Sequence, residues 1–122
     1  MPNPFIHAEL ATKNVPKAKA FYGKLFDWKL QDLPSPTPGG DYTIIKVGKG
    51  TGGGIMQQMM PGADSAWMPY VLVKDIDVAT KKAKKLRAKI VKGVSEVEGM
   101  GWLSIIVDPT GAMLGLWEPK KK

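Results

Sequence analysis

The chain of 122 residues contains no cysteine, so disulfides and thiolate chemistry are excluded, and any bound metal would need His, carboxylate, amide or water ligands. No apolar run approaches the roughly 20 residues of a membrane-spanning helix. The opening MPNPFIHAEL lacks a basic region followed by a long apolar one. The expectation is a soluble, cytoplasmic protein without membrane contact. A phosphate loop is also missing, because Gly52-Gly53-Gly54 is followed by a strand-like run and not by Lys and Ser or Thr. Those glycines read as a bulge or a close backbone approach.

What is present in excess is positive charge: 18 Lys and Arg against 11 Asp and Glu give a net charge of +7. Lys120, Lys121 and Lys122 form a tail, while Lys81, Lys82, Lys84, Lys85, Arg87 and Lys89 surround the apolar positions Val78, Ala79, Ala83 and Leu86 of one amphipathic helix. No aromatics are interleaved with these charges, so they read as a solvated helix face and not as a nucleic-acid footprint.

The most informative stretch is Phe5 to Trp28. Period-2 alternation sends Ile6, Ala8 and Leu10 to one face of a strand and His7 and Glu9 to the other. Asn14 then caps a helix with Pro16 in its first turn, and Ala18, Phe21, Tyr22 and Leu25 supply its apolar stripe. Trp28 to Leu33 alternates as a strand. Pro34 to Gly40, with three prolines and two glycines, is a surface loop. Tyr42 to Val47 and Gly52 to Met60 read as further strands. Trp67 to Val73 is a strand again, Asp75 caps a helix running to about Ala88, and Lys89 to Lys92 is another strand.

Displacing the sequence against itself by 61 residues superimposes Lys13 on Lys74, Asn14 on Asp75, Ala18 on Ala79 and Leu25 on Leu86. At the same offset Thr43-Ile44-Ile45 falls on Ser104-Ile105-Ile106, Gly50 on Gly111 and Gly54 on Gly115. Each half therefore reads strand, helix, strand, strand, strand. The expectation is one α+β domain over 1–122, with module one at about 4–60 and module two at about 66–119. Two βαβββ modules would form a curled mixed β-sheet around a cavity, with the helices on the outer face. The faces without a helix carry His7, Glu9, Gly54 and Met56 in the first half, and Met68, Tyr70, Gly115 and Trp117 in the second. Such a lining suits a small organic molecule. Met56, Met59, Met60, Met68 and Met113 otherwise belong to core, the four tryptophans are core anchors with Trp28 under the first helix, and Glu118 belongs at the surface or an interface.

The opening HAEL strand, the AFY helix ending in LFDW and the late Asp108-Pro109-Thr110-Gly111 turn before GLWEP resemble the glyoxalase, bleomycin-resistance and extradiol-dioxygenase superfamily, also called the vicinal oxygen chelate superfamily. The resemblance covers essentially the whole chain and points to the glyoxalase-like branch labelled lyase or hydroxylase. It also implies a homodimer. The superfamily's metal enzymes place ligands on the first and last strand of each half. His7 matches the first of these positions, whereas Met68, Gly54 and Gly115 stand at the other three. Gln57 or Gln58 would enter only through a slip of the fourth strand. No metal cofactor is therefore expected, beyond weak divalent binding through His7.

Two functions follow from these residues and that resemblance. In the first, a metal-independent lyase or isomerase uses His7 as acid or base, supported by Glu9. In the second, a non-catalytic protein sequesters a drug or metabolite against Met56, Met68, Tyr70 and Trp117. A metal-dependent lyase or dioxygenase ranks behind both.

Overall fold

The computed structural model describes residues 2–34 and 41–120, so most of the predicted Pro34–Gly40 loop and the last two lysines of the tail lie outside the described residues. Its elements in chain order are β1 (Phe5–Thr12), α1 (Val15–Leu25), β2 (Lys29–Leu33), β3 (Tyr42–Lys46), β4 (Gly53–Gln57), β5 (Ala66–Leu72), α2 (Ile76–Lys85), β6 (Lys89–Val97), β7 (Gly101–Val107) and β8 (Met113–Pro119). The strand, helix, strand, strand, strand series occurs twice, with Phe5 and Ala66, and Val15 and Ile76, opening equivalent elements at the 61-residue offset. This is the α+β fold of two βαβββ modules that the repeat predicts. His7–Met68 form one compact unit, and the described residues up to Ile6 and from Pro69 onward form the other. The boundary thus cuts through β1 and β5, whereas the sequence places it in the linker after Met60.

In the unit from His7 to Met68 the strand order is β2-β3-β4-β1, with β1 and β4 parallel and the other pairs antiparallel. The register joins Leu10 to Ile55 and Ile55 to Thr43, so Leu10, Thr43, Ile45 and Ile55 share the face beneath α1. Leu10, Ile45 and Ile55 are the core there, and Val15, Ala18, Tyr22, Trp28 and Leu30 pack on them. Asn14 caps α1 as expected, its Oδ1 accepting the Lys17 N–H at 3.0 Å. The predicted stripe is only half right. Contact centres on Val15, Ala18 and Tyr22, leaving Phe21 and Leu25 on the flank and exposed. Trp67 and Met59 and Met60 are also exposed, not core, because β4 ends at Gln57 and the chain has left the sheet before the two methionines.

In the other unit the order is β5-β8-β7-β6, with β5 and β8 parallel. Val73, Ile76, Ile106 and Leu116 form its core. Asp75 Oδ1 accepts the Val78 N–H at 3.1 Å, and Glu118 Oε1 accepts the Ile76 N–H at 2.8 Å. Glu118 is therefore a second cap on the N-terminus of α2, not a surface or interface group, since it stands on the helix-facing side of β8. The helix stops at Lys85, short of Ala88, because Arg87 adopts a left-handed φ of 75° and the Ala88 N–H returns to the Ala83 carbonyl at 3.0 Å. Ile76, Ala79, Thr80 and Ala83 face the sheet, while Val78 and Leu86 are exposed, again a stripe displaced from the predicted one. Strand β6 runs on to Val97, past the predicted Lys92, through two register shifts that keep it paired with β7. Lys120 is no free tail: it pairs with Glu96 and lies 4.5 Å from the Trp102 ring. No helix among the described residues is long and apolar enough to cross a membrane.

Candidate functional site

On the first unit's sheet the face turned away from α1 holds His7 and Glu9 from β1, Tyr42 and Ile44 from β3, and Gly54 and Met56 from β4. The pairing of Glu9 with Gly54, Ala11 with Met56 and Ile44 with Gly54 fixes this arrangement. It also excludes the slipped fourth strand. Gln57 and Gln58 instead donate to the backbone carbonyls of Lys13 and Asp64, at 3.3 and 2.8 Å.

Tyr42 ties the two titratable groups of β1 together. Its hydroxyl lies 2.7 Å from His7 Nε2 and donates to Glu9 Oε1 at 3.0 Å. The phenol has one proton, and Glu9 receives it. With that proton donated to the Glu9 carboxylate, the Tyr42 oxygen is left to accept from His7, an arrangement that favours the Nε2–H tautomer of the neutral ring. Burial holds the His7 pKa below its ordinary 6.5, so the imidazole is neutral near pH 7. A base whose far N–H is oriented by a hydrogen-bond acceptor is the arrangement that general-base catalysis uses.

The ring of Tyr42 needs Gly54. A Cβ built at position 54 would stand 1.8 Å from the Tyr42 hydroxyl and 2.1 Å from Cζ, so no other residue leaves room for this tyrosine. Sequence reasoning assigned His7, Glu9, Gly54 and Met56 to this face but missed Tyr42. The available signal was the glycine itself, one strand away and on the same face.

The second unit repeats the device with different chemistry. Tyr70, buried at 4% exposure, pairs with Gly115, and a Cβ there would stand 2.4 Å from the Tyr70 ring. Trp117 follows on the same face of β8, with its ring over Gly101, where a Cβ would meet Trp117 Cζ2 at 2.7 Å. Of the residues predicted to line a ligand site, Met56 and Met68 lie in the first unit, both half-buried, and Tyr70 and Trp117 in the second. The groove of about 380 Å³ in the first unit is elsewhere, beside α1, and is lined by Lys13, Lys17, Phe21, Tyr22 and Ser65 among others. None of the groups around His7 borders it.

The profile of the Glyoxalase/Bleomycin resistance protein/Dioxygenase superfamily matches residues 5–116. The chain belongs to that superfamily. Among curated proteins, CFP32 of Mycobacterium tuberculosis, whose name carries a provisional glyoxylase assignment, is 32% identical over 117 residues, covering 93% of this chain and 44% of its own. The chain thus spans about half the length of the curated relatives it matches. Among solved structures, hypothetical protein BH1468 from Bacillus halodurans aligns with a TM-score of 0.76 at 14% identity, over 100% of this chain and 98% of that one. Methylmalonyl-CoA epimerase from Mycobacterium tuberculosis aligns at 0.72 and 14% identity, over 96% and 88%. These two show the shared fold.

The metal that such a fold implies does not fit the residues present. Gly54 and Gly115 offer no donor, and the space above each is taken by a tyrosine ring. Among the described residues no three His, Asp or Glu side chains converge as a metal site would need.

Proposed function

We propose that this protein binds a small carbonyl or hydroxylated compound against the face carrying His7 and acts on it as a metal-independent lyase or isomerase. The observation that supports this reading is the hydroxyl of Tyr42 held between His7 Nε2 and Glu9 Oε1. His7 Nδ1 takes a proton from the carbon beside the carbonyl, and the electron pair of that bond passes into the carbonyl as an enolate. The imidazolium so formed keeps its Nε2–H on Tyr42, whose own proton faces Glu9, so the positive charge is matched by a carboxylate one hydroxyl away. Return of the Nδ1 proton to the same carbon only exchanges its hydrogen. In an α-hydroxy carbonyl compound the α-hydroxyl proton passes to the enolate oxygen, and return of the Nδ1 proton to the former carbonyl carbon completes an isomerisation. Expulsion of a β-substituent, which leaves with that proton, completes a lyase reaction. A provisional glyoxylase and an epimerase among the similar proteins are consistent with proton transfer next to a carbonyl.

The test is proton wash-out in D2O, followed by NMR, for a panel of small α-hydroxy and α-keto carbonyl compounds. Tyr42→Phe keeps the ring on Gly54 but removes the hydroxyl, so it should bind the same compound, lose part of the roughly 10²–10⁴-fold that a positioned base contributes, and shift the pH profile of exchange. Binding without exchange for every compound would leave the second reading, a non-catalytic binder, which is favoured by the apolar Ile44 and Met56 on the same face.

A further inference from the structure

We infer that Tyr42 is the side chain that closes this site to a metal ion, by occupying the place over Gly54 that a ligand carboxylate would need. The register sets Gly54 directly beside Glu9, two residues from His7 along the same face of β1. A carboxylate at position 54 would therefore join an imidazole and a carboxylate already facing the same way, which is the donor set of an open divalent site. In this chain the position carries no side chain, and the phenol stands where its Cβ would be. The exclusion has two parts. Tyr42 fills the space, and its hydroxyl engages Nε2 of His7 and Oε1 of Glu9, two of the atoms a metal would use.

The second half supplies an internal comparison. There too a tyrosine lies on the equivalent glycine, Tyr70 on Gly115, but the repeat mate of His7 is Met68 and that of Glu9 is Tyr70 itself. Removing Tyr70 would uncover no donors. In the first half, by contrast, a carboxylate at position 54 with Tyr42 removed would complete a three-donor set with His7 and Glu9. Tyr42 is a specificity-determining residue, and this inference holds whether or not the protein turns over a substrate.

The experiment titrates Ni(II) and Zn(II) by calorimetry into the chelator-treated full chain and three variants. The native chain should take up no stoichiometric metal. Gly54→Glu combined with Tyr42→Ala should bind one ion per chain. The same surgery in the second half, Gly115→Glu with Tyr70→Ala, should gain nothing. Tyr42→Ala alone, which has no new side chain to accommodate, should bind metal only when acetate supplies the missing carboxylate, so the inference remains testable if the double variant does not fold. Native binding as tight as that of the double variant would overturn the inference. So would a folded double variant, or Tyr42→Ala with acetate, that binds no metal.

Discussion

Gly53→Ala should destabilise the chain by about 3 kcal/mol or more, measured by denaturant titration. A Cβ at position 53 would sit 2.0 Å from the carbonyl oxygen of Ala8 and 3.1 Å from its carbonyl carbon. Those are backbone atoms of the paired parallel strand, so no rotamer change relieves the clash. The strands β1 and β4 must move apart, and with them Leu10 and Ile55, the centre of the core beneath α1. Gly54→Ala is the informative neighbour. Its clash is with the Tyr42 side chain, which can swing away, so stability should fall less while the His7 and Glu9 hydrogen bonds are lost. Equal, small effects below about 1 kcal/mol at both positions would contradict the close strand approach.

His7→Ala should lower turnover by about 10²–10⁴-fold while leaving ligand affinity largely intact. The substitution deletes the base and leaves Tyr42 still donating to the half-buried Glu9 at its observed 3.0 Å, so that carboxylate keeps this partner and the fold should persist. Affinity falling in parallel with turnover would mean that His7 contributes binding rather than chemistry. Unchanged turnover would remove His7 from the mechanism.

Much of this architecture was legible in the residues. The 61-residue repeat, the caps at Asn14 and Asp75 and the turn glycines are local signals, and each gives the same answer in the structure. His7 and Glu9 were legible together because they lie two apart on one strand. Tyr42 was not, since it reaches Glu9 across 33 residues of sequence, and only through the register of β3 on β4 and the gap above Gly54. The exposed Phe21, Leu25, Val78 and Leu86 show another gap. A periodic stripe says that a helix has an apolar side, but the exact line of contact depends on how each helix lies on its sheet. Glu118 was misread for a similar reason: alternation places it opposite Trp117, yet that face holds the unfilled N-terminus of α2.

Tyr42, held by Glu9, should keep His7 as a neutral Nε2–H imidazole. The chain has a single histidine, so its ring ¹⁵N resonances are read without ambiguity. Because burial lowers the folded pKa below 6.5, the unfolded chain binds the proton more readily, and the stability His7 allows is complete above about 6.5 and lost as pH falls through the folded value. The measurement is a long-range ¹H–¹⁵N correlation spectrum across pH. The expected result is a neutral ring protonated at Nε2 near pH 7, titrating below 6.5. An imidazolium at pH 7, or a neutral ring protonated at Nδ1, would contradict it.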